Sequence, residues 1–327
     1  MKETFKGKDI LVTGGCGCIG SEIVKQLHEF EPKRIRIFDN DEAGHFKIRT
    51  ELKGSKIIRN LQGDVRDKDR LIEAMKDVDI VFHCAALKHV DLCEYNPSEA
   101  IETNVLGTLN AIEAAKERRV SKFITVSTDK AVNPISTMGA TKILAEKLTL
   151  DANAGEWKTD FVCVRFGNVF NSSGSVMEIW KDQISKGKPV TLTSSEMTRF
   201  FMSIEEAVRL ILKVADIMSR REIFILKMPS LKIKDLAEVM IEKIGNKNIE
   251  IKEIGVKIGE RLHETLLTEE ESKYTISKED MFIVKPPIIA PQINNRIDYK
   301  IKYKEYSSNN NPLSKEGVRK IVRKWSK

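Results

Sequence analysis

The chain predicts an α/β fold: a doubly wound parallel sheet with a smaller, discontinuous mixed α/β lobe attached to it. Three observations carry that prediction. The first apolar run, Asp9-Ile-Leu-Val-Thr13, passes through a glycine-rich turn straight into an amphipathic segment. Short apolar runs then alternate with helical-period segments as far as Phe166, as parallel strands joined by crossover helices do. Beyond Phe166 the alternation stops. At 327 residues the chain also exceeds the size of one core, which favours two lobes.

The first turn, Gly14-Gly-Cys-Gly-Cys-Ile-Gly20, contains G-x-G-x-x-G at Gly15, Gly17 and Gly20, and Ile23, Leu27 and Phe30 share one face of the helix that follows. In that setting the glycines let the backbone approach a pyrophosphate, whose charge the helix amino terminus stabilises. The second strand, Arg34 to Phe38, ends in Asp39, near the offset at which a carboxylate accepts the 2′-hydroxyl of an adenine ribose. A carboxylate there repels a 2′-phosphate, so NAD is favoured over NADP, with Arg36 and Arg49 close enough in sequence to keep NADP open. Ile57 to Leu61 and Asp79 to Cys84 read as strands three and four, separated by a helix over 68–76 with Leu71, Ile72 and Met75 as its apolar face. Phe123 to Val126 and Phe161 to Phe166 continue the series. His83 within its strand and His28 on its helix read as structural.

The polar run Gly167 to Ser175 reads as a loop, and Arg221 to Leu226 as a strand returning to the first lobe. The tail from Tyr306 to Leu313 reads as a loop before a last helix that reaches Trp325.

Composition narrows the function classes. The 55 Lys and Arg are interspersed with 48 Asp and Glu, and no long basic block accompanies the net charge of +7. That argues against a nucleic-acid partner and suits a solvated surface with an anionic small substrate. Cys16, Cys18, Cys84, Cys93 and Cys163 show no zinc spacing and read as reduced thiols. The charged amino terminus leads directly into a strand without a signal peptide or membrane span, so a cytoplasmic protein is expected.

The chemistry concentrates between Val126 and Lys142. Ser127, Thr128, Asp129 and Lys130 follow the buried run Phe123 to Val126, and Lys142 lies on the helix beyond them. The carboxyl edge of a parallel sheet is where ligands bind, and here it offers hydroxyls, a carboxylate and two amines for moving protons.

Several segments together resemble the extended short-chain dehydrogenase/reductase family: Thr13 to Gly20, Gly63-Asp-Val-Arg-Asp67, His83-Cys-Ala-Ala86 and Asn104-Val-Leu-Gly107. Others resemble its UDP-N-acetylglucosamine 4,6-dehydratase branch: Ala85 to Val90, Glu94-Tyr-Asn-Pro97, Ser127 to Pro134, Arg165-Phe-Gly-Asn-Val169, Met197-Thr-Arg-Phe200 and Gly259-Glu-Arg-Leu-His-Glu264. The likeness covers almost the whole chain. One departure stands out: the family's Tyr-x-x-x-Lys is here Met138-Gly-Ala-Thr-Lys142, and a thioether cannot take a proton. This is similar to the configuration-retaining subset of the branch and argues against a simple 4-epimerase. Large members of that subset carry a membrane region, whereas this chain resembles the short soluble forms.

The resemblance implies a Rossmann-type NAD domain over 1–167, rejoined by about 200–227, and a nucleotide-sugar lobe over 168–199 and 228–327. It implies an internal redox cycle on UDP-N-acetylglucosamine: oxidation at C4, loss of water across C5 and C6, and hydride return to C6. Asp129 is expected as the acid for the C6 hydroxyl and Lys130 as the base at C5, the carboxyl raised and the amine lowered in pKa. Thr128 is expected near C4, and Lys142 on the nicotinamide ribose. With Met138 in the tyrosine's place, Asp129 acting twice or a water is left to accept the C4 hydroxyl proton. Gly14, Gly17, Cys18, Ile19 and Gly20 are implied for the pyrophosphate loop, with Asp39, Asp64, Val65, Ala85 and Ala86 along the cofactor. Asn168, Arg199 and Arg261 are implied for the UDP group, with Lys88 in a loop facing the site. A homo-oligomer pairing through helices near 98–118 and 136–152 is expected. The alternatives are a dehydratase that releases a 5,6-unsaturated sugar and a non-catalytic, cofactor-bound scaffold.

Overall fold

A computed structural model describes residues 1–170, 175–244, 249–256, 258–285 and 304–325. Residues 171–174 of the expected 167–175 loop, and the last two residues of the chain, lie outside them. The apolar runs form β1 (Asp9–Thr13), β2 (Arg34–Asp39), β3 (Ile58–Gln62), β4 (Ile80–His83), β5 (Lys122–Val126) and β6 (Asp160–Arg165). They lie side by side in the order β3-β2-β1-β4-β5-β6, all parallel. Helices pack on both faces, with Ile10, Val12, Ile35, Ile37, Phe82 and Ile124 facing one core and Leu11, Phe38, Val81 and Phe123 the other. Alternation along each strand thus splits the apolar residues between two helical layers.

The order in which strands are added reverses between β1 and β4, which run parallel, and the crevice above their carboxyl ends is the natural ligand position of such a sheet. His83 marks the seam. Its Nδ1 lies 2.8 Å from Thr13 Oγ1 and its Nε2 3.0 Å from Thr108 Oγ1. Because the Thr108 hydroxyl donates to the Asn104 carbonyl, it accepts from Nε2–H, and Nδ1 accepts from Thr13: the ring is neutral and structural.

Beyond β6 the strand Ile223–Leu226 extends the sheet in parallel. Two further strands, Met281–Val284 and Thr275–Ser277, continue it antiparallel to make nine. This corrects one expectation, since 275–284 falls in the stretch expected in the second lobe. Four apolar residues in a row, Met281 to Val284, are too short a run to show which sheet they join. Asn168–Val169, expected as loop, is a two-residue strand parallel to Phe201–Met202. A second core surrounds Trp180, Leu192, Phe201, Leu236, Met240 and Val318, with helices Val176–Ser185, Ile233–Ile244 and Lys315–Trp325 packed about it.

The end of β6 carries a polar, largely buried network. Arg165, at the end of β6, donates to Glu146 at 2.7 and 2.6 Å and to Glu271 at 2.7 Å. Ser127 donates to the same Glu146 at 2.5 Å. The helix Thr137–Asp151, β6 and the segment around Glu271 are therefore fixed to one guanidinium, whose planar fork suits two carboxylates.

Candidate active site

The glycine turn is shaped by close approach. Gly14 has φ +63°, and a Cβ there would lie 2.6 Å from the Ala85 nitrogen; one on Gly20 would lie 2.1 Å from the Gly14 carbonyl. Only glycine lets β1, the loop after β4 and the next helix meet so closely. That helix, Cys18–His28, has Gly17 as N-cap, no side-chain cap and no acidic residue in its first turn. The amides at Cys18 and Ile19 thus begin a helix whose dipole favours an anion, so the cradle fits a pyrophosphate. Asp39 accepts from the Cys16 amide at 2.9 Å and the Asp41 amide at 3.1 Å, tying the end of β2 to the turn. Arg36 donates to the Ala74 carbonyl at 2.8 Å and Arg49 lines a separate hollow with Lys56 and Arg59, so neither stands with Asp39. Asp64 is gripped by Arg66, which holds its carboxyl below the usual range, and Val65 is buried in the sheet's second core. Ala85 and Ala86 continue from β4 half-buried, and Lys88 is exposed just beyond them.

The acid–base groups assemble at the end of β5. Asp129 is fully buried. Its Oδ1 accepts from Thr128 Oγ1 at 2.9 Å and Lys130 Nζ at 2.9 Å, while Oδ2 has no partner. A buried carboxylate oxygen without a donor is costly, and it is the natural place for a proton or a substrate hydroxyl. Gly167 flanks it: a Cβ there would lie 3.2 Å from Oδ2. Lys142, buried on the following helix, donates to the Val126 carbonyl at 2.6 Å. Burial pushes this amine's pKa down, against the pull of Glu146. Gly139 lets that helix start abut the acid–base turn, since a Cβ there would lie 2.4 Å from the Lys130 carbonyl.

One expectation is reversed. The Lys130 amine was expected to be lowered; burial does oppose its charge, but Asp129 and Glu264 beside it hold it above the ordinary lysine range. Lys142, on the next helix, is not what sets it. Met138 is buried in a small apolar cluster with Cys93, Ala100 and Val90, remote from any proton chemistry by its nature.

The residues expected at the UDP group divide. Arg199 is buried and donates to the carbonyls of Thr198, Leu262 and Arg261 at 2.8, 3.1 and 2.7 Å, which makes it a brace for the 261–264 segment. Arg261 is half-buried, donates to the Val132 carbonyl at 3.3 Å, and lines a hollow with Lys130, Ser136, Gly259 and Glu264. Asn168 sits half-buried on its short strand, one residue beyond Gly167.

Two further residues complete the site, Asn104, expected as a prop for the active-site backbone, and Glu264. Asn104 lies in a π-helical turn, Glu102–Leu106, where its amide accepts from the Leu87 N–H at 2.7 Å and donates to the Leu87 carbonyl at 3.0 Å and Thr141 at 2.9 Å. It fixes the loop after β4 to the Lys142 helix. Glu264 is buried 3.9 Å from Lys130 Nζ and 3.8 Å from Arg199 Nε. Burial pushes its carboxyl above the usual range despite Lys130. Its only signal in the sequence is its place at the end of the Gly259 to Glu264 run.

A nine-stranded doubly wound sheet with a glycine cradle and a Thr-Asp-Lys turn at its carboxyl edge defines a protein of the short-chain dehydrogenase/reductase type. The chain belongs to the polysaccharide biosynthesis protein family, whose sequence profile matches residues 10–286. It is 54% identical to an uncharacterized membrane protein of Methanocaldococcus jannaschii, over 98% of this chain and 97% of that one. It is 41% identical to the UDP-N-acetylglucosamine 4,6-dehydratase (inverting) of Campylobacter jejuni, over 94% of each chain. A UDP-glucose 4-epimerase of Rickettsia akari is 40% identical over 82% of this chain and 80% of its own. The crystal structure of Pen from Bacillus thuringiensis is 40% identical, with a TM-score of 0.91 over 98% of this chain and 99% of that one. Among the described residues no helix is long and apolar enough to cross a membrane, and no group of His, Cys, Asp and Glu is arranged to hold a metal ion.

Proposed function

We propose that the protein is a hydro-lyase that converts UDP-N-acetylglucosamine to a UDP-2-acetamido-4-keto-2,6-dideoxyhexose with NAD as a resident cofactor. The observation that carries this reading is the buried Asp129 carboxylate, with Thr128 and Lys130 on one oxygen and none on the other, at the carboxyl end of β5. A 4,6-dehydration needs an acid and a base a bond or two apart on the sugar, and adjacent Asp129 and Lys130 supply both in one turn. The similarity to a dehydratase over nearly the full length supports the substrate. Methionine at 138 speaks for a dehydratase over the epimerase named among the relatives, because an epimerase of this type relies on a tyrosine there.

NAD, when bound, would supply a hydride acceptor for C4 and, once reduced, a hydride donor for C6. The glycine cradle and the uncapped helix start at Cys18 would hold its pyrophosphate, and Asp39 its adenine ribose. Lys142 would lie along its nicotinamide ribose, where a lowered pKa makes the amine a milder neighbour for a positively charged ring. Thr128 would orient the sugar at C4. Asp129, starting as the carboxylate, would accept the C4 hydroxyl proton as hydride leaves C4 and then deliver it to the C6 hydroxyl, which leaves as water. Lys130 in its neutral form would take the C5 proton, whose acidity comes from the C4 ketone, and would return a proton to C5 as hydride adds at C6. Arg261 and Asn168 would meet the UDP group, and Lys88 the sugar side of the loop after β4.

Proton NMR of the protein incubated with UDP-N-acetylglucosamine tests the reading. A new C6 methyl doublet and a 4-keto carbon, observed directly or as the hydrate, are expected. Vinyl protons in place of the methyl would identify the unsaturated-sugar reaction, and an unchanged sugar with NAD present would overturn the proposal.

A further inference from the structure

Lys130 has two carboxylate neighbours, and only one of them belongs to the Thr-Asp-Lys turn. Its Nζ lies 2.9 Å from Asp129 Oδ1 on one side and 3.9 Å from Glu264 Oε1 on the other. Glu264 arrives from a segment more than a hundred residues later and is held there firmly. Its N–H donates to Ser308 Oγ at 2.9 Å, and its carbonyl accepts from the Ser308 N–H at 2.8 Å. Arg199 braces the same segment through the Arg261 and Leu262 carbonyls while placing its Nε 3.8 Å from the Glu264 carboxylate. Glu264 is only 4% exposed, and with Lys130, Arg261, Ser136 and Gly259 it forms the wall of one hollow. The groups that face it are therefore Lys130, Arg199 and Arg261 as cations and Asp129 as the other anion. Nothing in the acid–base scheme above uses it.

We infer that Glu264 is the positioning residue for Lys130: its buried carboxylate fixes the amine in the hollow and sets the pH at which that amine becomes a free base. The inference rests on the proposed function for its consequence, that the rise of C5 proton abstraction with pH is set by a residue outside the turn. Its physical content is independent of that reading. A carboxylate within 4 Å in a site shielded from water favours the ammonium form. Removing its charge while keeping its shape, as Glu264→Gln does, lets Lys130 lose its proton at lower pH.

Competitive acetylation of lysines with a limiting reagent, read peptide by peptide by mass spectrometry, measures the neutral fraction of each amine without any substrate. At pH 8.5 Lys130 in Glu264→Gln is expected to react on the order of tenfold faster than in the parent protein, relative to exposed lysines, as a one-unit fall in its pKa requires. Glu264→Asp, which keeps the charge, is expected to stay near the parent. The parent protein carries its own check, because its Lys130 labelling must still be rising at pH 10. Equal labelling of Lys130 in Glu264→Gln and the parent, or a parent rate that levels off below pH 10, would overturn the inference. In turnover, the rising limb of C5 hydrogen–deuterium exchange should move to lower pH by about one unit in Glu264→Gln. A uniform loss at every pH, with no displacement, marks a merely structural role and counts against it. Shifted labelling without any sugar turnover would sink the dehydratase reading and leave the role of Glu264 standing. Turnover with unmoved labelling would do the reverse.

Discussion

At the scale of single residues, the site depends on how few donors reach Asp129. Thr128 and Lys130 share one oxygen and leave the other without a partner, a disposition that suits a carboxyl that must pass a proton on. Met138 makes the complementary point. Its side chain fills an apolar cluster with Cys93 and Ala100 and contributes volume, not proton transfer. Met138→Leu, nearly equal in volume, is therefore expected to keep turnover within a few-fold and to cost less than about 1.5 kcal/mol, whereas Asp129→Asn should lower turnover by about 10²–10⁴-fold. Steady-state rates and denaturant midpoints of the two variants check this, and an inactive but folded Met138→Leu would contradict it. Asp129, Lys130 and Lys142 could be picked out from sequence because they sit within seventeen residues at a strand end. Glu264 could not, and neither could the sign of the Lys130 shift, because both depend on a segment that only the tertiary fold brings to β5.

At the scale of elements, the seam between β1 and β4 ties stability to pH. His83 is wholly buried between Thr13 and Thr108, and burial, helped by Lys142, pushes its pKa down to about 3. In the unfolded chain it titrates near the ordinary imidazole value of 6.5. Between those values the unfolded chain holds a proton that the folded protein does not, so the folded state loses stability as pH falls from 6.5 towards 3. The loss approaches roughly 1.4 kcal/mol per pH unit from this one residue. Denaturant midpoints measured from pH 8 down to pH 4 should fall less steeply for His83→Gln than for the parent, since all other groups titrate alike in both. Parallel curves would show that the imidazole is not held neutral. That His83 is structural was readable from its place inside an apolar run. Its threonine partners were not, because Thr13 and Thr108 are distant in sequence and meet it only across neighbouring elements. The glycine turn and the alternation through β6 were equally plain, each being a local pattern with a fixed period. The antiparallel strands Thr275–Ser277 and Met281–Val284 were hidden for the opposite reason: short and separated by a charged turn, they carry no periodicity of their own.

At the scale of the whole molecule, Arg165 ties the end of β6 to the Lys142 helix through Glu146 and to the segment around Glu271. Several large apolar side chains are exposed on the helices of this region. Leu92, Tyr95, Ile101 and Leu106 on the helices after β4, and Leu144 on the Lys142 helix, are each between 45% and 90% exposed. Exposed apolar groups on adjoining elements mark a surface that gains by being covered. Light scattering is expected to find a dimer or larger assembly, and Tyr95→Glu with Leu144→Glu is expected to lower its mass. A monomer for the parent protein would remove that expectation.

In the proposed internal redox cycle, the hydrogen taken from C4 of the sugar returns to C6 of the same molecule. UDP-N-acetylglucosamine carrying deuterium at C4 tests it most directly, with the product examined by NMR and mass spectrometry. A 4-keto product whose C6 methyl is CH2D, with the label conserved, is expected. Label that remains at C4, or a methyl group without deuterium, would contradict it.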